Sequence, residues 1–140
     1  MTDAPNRANI PPMTLDRYDP HEAPDPEAWL ALAEEERLAL ILDWHEATGE
    51  IGTNNPRLHA SFHKIVENQV AERNPPFVAT RLRQLIAQGL DRHDAIHAIV
   101  SILARRLASD MKRSEDSRFN IVLYEAALRR LNAKSWRRSG

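Results

Sequence analysis

The chain has 140 residues, 42% of them hydrophobic and 28% charged, which is the balance of one water-soluble globular domain with enough apolar side chains for a core. It contains no cysteine, so disulfides, iron–sulfur clusters and thiolate zinc sites are excluded and any metal must be held by nitrogen or oxygen. The net charge of −1 hides an uneven spread: residues 1–50 carry 3 basic and 12 acidic side chains, residues 51–100 carry 6 and 4, and residues 101–140 carry 10 and 4.

Residues 1–24 are polar and dotted with Pro5, Pro11, Pro12, Pro20 and Pro24, without sustained periodicity, and read as a disordered N-terminal arm ahead of a single helical domain over 25–140. His21, within that arm, reads as solvated. No basic start leads into an apolar stretch with a small-residue cleavage site, and no apolar run approaches the roughly 20 residues that span a bilayer. A cytoplasmic protein with no membrane partner is expected. The longest apolar run, Leu38 to Leu42, falls inside a predicted helix.

From residue 25 onward the punctuation is helical. Asp25-Pro26, Asn55-Pro56 and Asn74-Pro75 each set a capping side chain before a proline suited to the first helical turn. Gly49 and Gly89 fit the left-handed position after a helix end. These signals predict helices near Pro26–Leu32, Glu34–Thr48, Pro56–Glu72, Pro75–Gln88, Arg92–Met111 and Arg118–Ala133. Apolar residues at helical spacing agree: Leu38, Ile41 and Leu42; Leu58, Phe62, Ile65 and Val66; Ile96, Ile99, Val100, Leu103 and Leu107; Phe119, Val122, Leu123, Ala126 and Leu131. The expected fold is all-α, a compact bundle of five to six helices.

The chemistry lies in the histidines. Four of six fall in two pairs, His59-Ala-Ser-Phe-His63 and His93-Asp-Ala-Ile-His97, and a four-residue gap puts both rings of a pair on one helix face. Together the pairs supply four neutral nitrogens, enough to close the shell of one divalent transition metal, zinc above all. On the Arg92 helix the pair lies roughly 60° and 100° from the apolar stripe, and on the Pro56 helix roughly 75° and 115° in the same rotational sense. Both pairs thus flank the core. Equal offsets converge when the two helices run antiparallel and diverge when they run parallel, which short loops around the Pro75 helix favour. An oblique Pro75 helix, or a homodimer in which a second subunit supplies one pair, restores convergence. The alternative is a set of boundary histidines bonded to backbone or to Glu67, Asp91 and Asp94.

Around these pairs stand secondary candidates. Glu67 continues the ladder from His59 and His63 but drifts to about 140° from the stripe, and is expected to be exposed. His45, in the last turn of its helix, reads as a fifth ligand or as a partner of the helix dipole. Gln69 lies nearly on the apolar stripe and should need a buried hydrogen-bond partner. His93-Asp-Ala-Ile-His97 also resembles the His-Glu-x-x-His helix of zinc peptidases, with Asp94 at the general-base position. Aspartate is a methylene shorter and no sheet is expected to hold a peptide, so a metal-dependent hydrolase is not favoured. A second functional reading rests on the basic C-terminal third: Arg105, Arg106, Lys112, Arg113, Arg129, Arg130, Lys134, Arg137 and Arg138, near Trp136, could meet nucleic acid or an acidic protein. That face could equally be neutralised by the acidic half of the chain, and Trp136 could pack back on the bundle.

Asn55-Pro56-Arg57-Leu58-His59-x-x-x-His63, Gln69, Pro75-Pro76 and Arg92-His93-Asp94-Ala95-Ile96-His97-Ala98-Ile99 resemble a small bacterial family catalogued as a domain of unknown function. The resemblance covers about residues 54–100. It implies that both histidine pairs and Gln69 belong to one motif, and it implies no activity. Members resembling this chain often carry glutamate at the position of Asp94.

Overall fold

A computed structural model describes residues 15–49, 55–113 and 118–139, and among these it is entirely helical, with no strand. The elements are α1 (Pro26–Ala31), α2 (Glu34–Thr48), α3 (Pro56–Glu72), α4 (Pro76–Ala87), α5 (Arg92–Arg113), α6 (Ile121–Arg130) and α7 (Ala133–Ser139). Most start for the same local reason. Asp25, Asn55, Asp91, Asn120 and Asn132 each accept a hydrogen bond from the backbone N–H three residues on, which satisfies one of the donors that a helix start leaves open. Asn74 does not act in this way: α4 begins one residue later than expected, with Pro75 at its cap position. The C-terminal helix expected over 118–133 is shortened to α6, which Asn120 caps, and a further helix not expected from the sequence, α7, starts beyond Asn132. Gly49 closes α2 at φ +73° and Gly89 turns the chain after α4 at φ +105°, both in the left-handed region where a side chain would be strained.

Two apolar clusters share α3. One joins Val66 to Val78, Leu82 and Leu85 of α4, Ile96, Ile99 and Leu103 of α5, and Tyr124 and Leu128 of α6. The other gathers Tyr18, Trp29, Leu38 and Ile41 against Ala60. Arg37 locks the second: it donates to the carbonyls of Leu30 and Leu32 at the end of α1, and to Asn68 Oδ1 of α3, which also accepts from Trp29 Nε1.

The part of the expected arm that lies within the description, residues 15–24, packs on this framework. Tyr18 and Pro20 are buried, and Tyr18 Oη donates to Glu67 while the Pro20 carbonyl accepts from Arg92 Nη1. Residues 1–14 lie outside the described residues.

α3 buries a face rotated from its apolar stripe, with Val66 inside and Phe62 and Ile65 partly buried against the core. Leu58 is 51% exposed, whereas Ala60, His63, Val66 and Glu67 are buried. Glu67, expected at the surface, is 1% exposed. The physical reason is that its charge is matched: Arg92 Nη2 and Nη1 reach Oε1 and Oε2 at 2.7 and 2.9 Å, and burying a carboxylate is tolerable only with such partners. This fork also sets how α3 and α5 meet. Along α3 the contacts run His59, His63, Glu67, and along α5 their partners run His97, His93, Arg92. The two helices are therefore antiparallel, and α4 between them in sequence cannot be antiparallel to both; it packs on each without repeating an up-and-down pattern.

Candidate metal centre

All six histidines of the chain converge where α2, α3 and α5 meet. The pairs behave as their spacing predicts: ring centroids lie 4.5 Å apart for His59 and His63, and 4.2 Å for His93 and His97. Because α3 and α5 are antiparallel the pairs face each other, with His63 4.7 Å and His59 5.4 Å from His97, centroid to centroid. His45 enters from the last turn of α2, 5.2 Å from both His59 and His63.

The tight group consists of His45, His59, His63 and His97, whose donor atoms all lie within 4.8 Å of one another. It holds three of the four histidines expected as ligands, with His45 beside them. His93 stands at the edge, buried, with its ring 4.9 Å from Trp44 and 6.2 Å from His63. His21 is exposed as expected, with its ring 5.3 Å from His93 and Nδ1 3.0 Å from Asp19 Oδ1.

Burial grades across the group. His63 is fully buried and His45 is 5% exposed, while His59 and His97 are partly exposed. Burial, reinforced by the neighbouring histidines, holds His63 far below the usual imidazole range and pushes His97 down to about 4. Both are neutral at pH 7, as metal ligands must be. His45 Nδ1 lies 2.8 Å from the Ile41 carbonyl and must donate to it, which fixes the tautomer and leaves Nε2 with its lone pair. His63 Nε2 and His59 Nε2 sit 3.0 Å apart.

Among the described residues, His45 Nε2, His63 Nδ1 and His97 Nε2 are buried without a hydrogen-bond partner. Each such atom ordinarily costs about 1–3 kcal/mol, so a cluster of them at one point calls for a ligand. The dimensions suit one. Zinc–nitrogen bonds of about 2.05 Å give tetrahedral edges of about 3.3 Å, so donor atoms that lie within 4.8 Å of one another need to draw in by at most about 1.5 Å. Among the described residues no carboxylate belongs to the group, and Glu67 is committed to Arg92 and Tyr18.

His45 is a lone histidine near a helix C-terminus, a place that suits interaction with the helix dipole as well as a ligand. Its signal in the sequence is positional, a ring that can bond the carbonyl one turn back while facing inward. Gln69 does find its partner, accepting from Tyr124 Oη at 2.9 Å.

Residues 23–136 match the family described as Domain of unknown function (DUF1841). The chain belongs to this family. A search of curated proteins and of solved structures returned no match. Membership leaves the activity open, and the geometry of the histidine centre carries what can be said of it. The basic C-terminal residues of this DUF1841 member are partly engaged within the fold: Arg106 pairs with Asp110, Arg129 with Glu125, and Arg137 donates to the Gly89 carbonyl. No described helix is long and apolar enough to cross a membrane.

Proposed function

We propose that the chain binds one divalent transition metal of the zinc type, held by His59, His63 and His97 with His45 as fourth donor and His93 as the ring that orients His97. The observation that carries this reading is the convergence of four imidazoles from three helices, with donor atoms within 4.8 Å and three buried nitrogens lacking any other partner. A boundary histidine serving only structure would have its nitrogens bonded to backbone or carboxylate, as His45 Nδ1 and His21 Nδ1 are. The metal would supply a fixed positive charge and a Lewis-acidic centre; the residues supply neutral lone pairs, a fixed tautomer at His45 and a largely water-excluding surround.

The test is titration of metal-stripped protein with Co2+, followed by its visible absorption. Bands of tetrahedral intensity should saturate at one equivalent and fall away on adding zinc. His63→Ala should lower the affinity at least 100-fold while far-UV circular dichroism stays helical. Absence of stoichiometric uptake by the unaltered chain contradicts the reading.

A further inference from the structure

Among the described residues the histidine centre is not closed on every side. A cavity of about 390 Å³ opens beside it, with His59 and His97 in its wall. These are the two members of the group that burial leaves partly exposed. Leu58, Phe62, Val100 and Trp136 form most of the remaining wall, and among the described residues no aspartate, glutamate, lysine or arginine lines it. Of the polar neighbours, Asn55 Oδ1 caps α3 and Ser101 Oγ donates to the Ala98 carbonyl. Leu58 is half exposed, an unusual state for a leucine that the apolar pattern assigns to a buried stripe.

Charge selects the occupant. A divalent cation held by neutral imidazoles alone keeps its positive charge uncompensated, and among the described residues no carboxylate belongs to the group. The cavity that reaches the centre is apolar and uncharged. We infer that this cavity binds a small monoanion with an apolar body, an aromatic or branched aliphatic carboxylate, whose oxygen joins the metal beside His59 and His97 while its body fills the space between Phe62 and Trp136. This rests on the metal reading above. A carboxylate suits the place because it offsets the metal's charge and can add as a fifth donor, a coordination that zinc-type centres accept. Cations are disfavoured by the metal, and larger polar molecules find no partners on the walls.

Co2+-loaded protein separates the two claims. The bands that appear with Co2+ alone report the metal site, and their change on adding benzoate or acetate reports the cavity. Benzoate should perturb the bands at 1:1 and bind at least tenfold more tightly than acetate, whereas benzylammonium should leave them unchanged. Ala104 of α5 also lines the cavity; Ala104→Trp, which fills it, should abolish the preference for benzoate while Co2+ uptake stays at one equivalent, and Ala104→Leu, a smaller filling, should reduce it. Bands that form normally but respond equally to benzoate and acetate, or a preference that survives Ala104→Trp, overturn the cavity assignment alone. Failure to form the bands removes both.

Discussion

Replacing Arg92 by methionine tests whether the buried fork that aligns α3 with α5 holds the fold as described. Arg92 is 8% and Glu67 1% exposed, and the guanidinium donates to both Glu67 oxygens and to the Pro20 carbonyl. Methionine fills a similar volume but leaves the Glu67 carboxylate buried with Tyr18 as its remaining partner, and leaves the Pro20 carbonyl short of its donor. Breaking a buried pair from one side typically costs about 3–5 kcal/mol, a large share of the roughly 5–15 kcal/mol that holds a domain together. The exposed pair Arg57–Glu35, with side chains 64% and 78% exposed, is the internal control and should cost less than about 1 kcal/mol when broken. Urea unfolding at pH 7 measures both. Pairing Arg92→Met with Glu67→Gln should return about 2 kcal/mol relative to the sum of the single changes, because the stranded charge is gone. An Arg92→Met protein within about 1 kcal/mol of the unaltered chain, or changes that simply add, would refute the buried fork. Metal affinity should fall alongside stability, since the same contact sets His93 and His97 against His59 and His63.

Three further outcomes are expected. Metal-free protein should lose stability as pH falls below the ordinary histidine value of about 6.5: His63 and His97 are held neutral in the fold but accept protons when unfolded, so the unfolded chain binds more protons and gains. The loss should continue to about pH 4, where folded His97 protonates, and beyond it for His63; urea midpoints that stay flat from pH 7 to 4.5 would contradict the burial assigned to these rings. Zinc affinity, read by competition with a chelator, should fall steeply as pH approaches about 4, where folded His97 takes up a proton that it must shed to bind. Tyr124→Phe should cost about 1–2 kcal/mol by denaturant unfolding, since Gln69 Oε1 loses the hydroxyl donor reaching it from α6; a neutral result would place that bond among the dispensable ones.

The helices were legible because their starts are chemically explicit: Asp25 and Asn55 cap the helices that their following prolines announce, and Gly49 ends α2 where only a residue tolerant of positive φ fits comfortably. The pairing of His59 with His63 and of His93 with His97 was likewise a matter of helical period. What the pattern could not carry was the direction in which helices meet. Loop lengths around α4 favoured a parallel α3 and α5, but the fork between Glu67 and Arg92 fixes them antiparallel, and that contact joins residues 25 apart that hydropathy sorts to the surface. The same blindness hid the buried face of α3. A polar side chain is buried when tertiary partners match it, so His63 and Glu67 lie inside while Leu58 is left half exposed beside a cavity. His45 was faint for the related reason that a single histidine has no period. α7 is not legible because a lone asparagine at a helix end resembles an ordinary surface residue until its side chain is found accepting from the Ser135 N–H.

The most direct test of the metal reading is an anomalous-scattering map from crystals of the protein purified without chelator and then exposed to zinc. One peak per chain is predicted within about 2.0–2.2 Å of nitrogens from His59, His63 and His97, with His45 completing the shell. A map in which these imidazoles surround no anomalous peak, with zinc bound elsewhere or not at all, would contradict it.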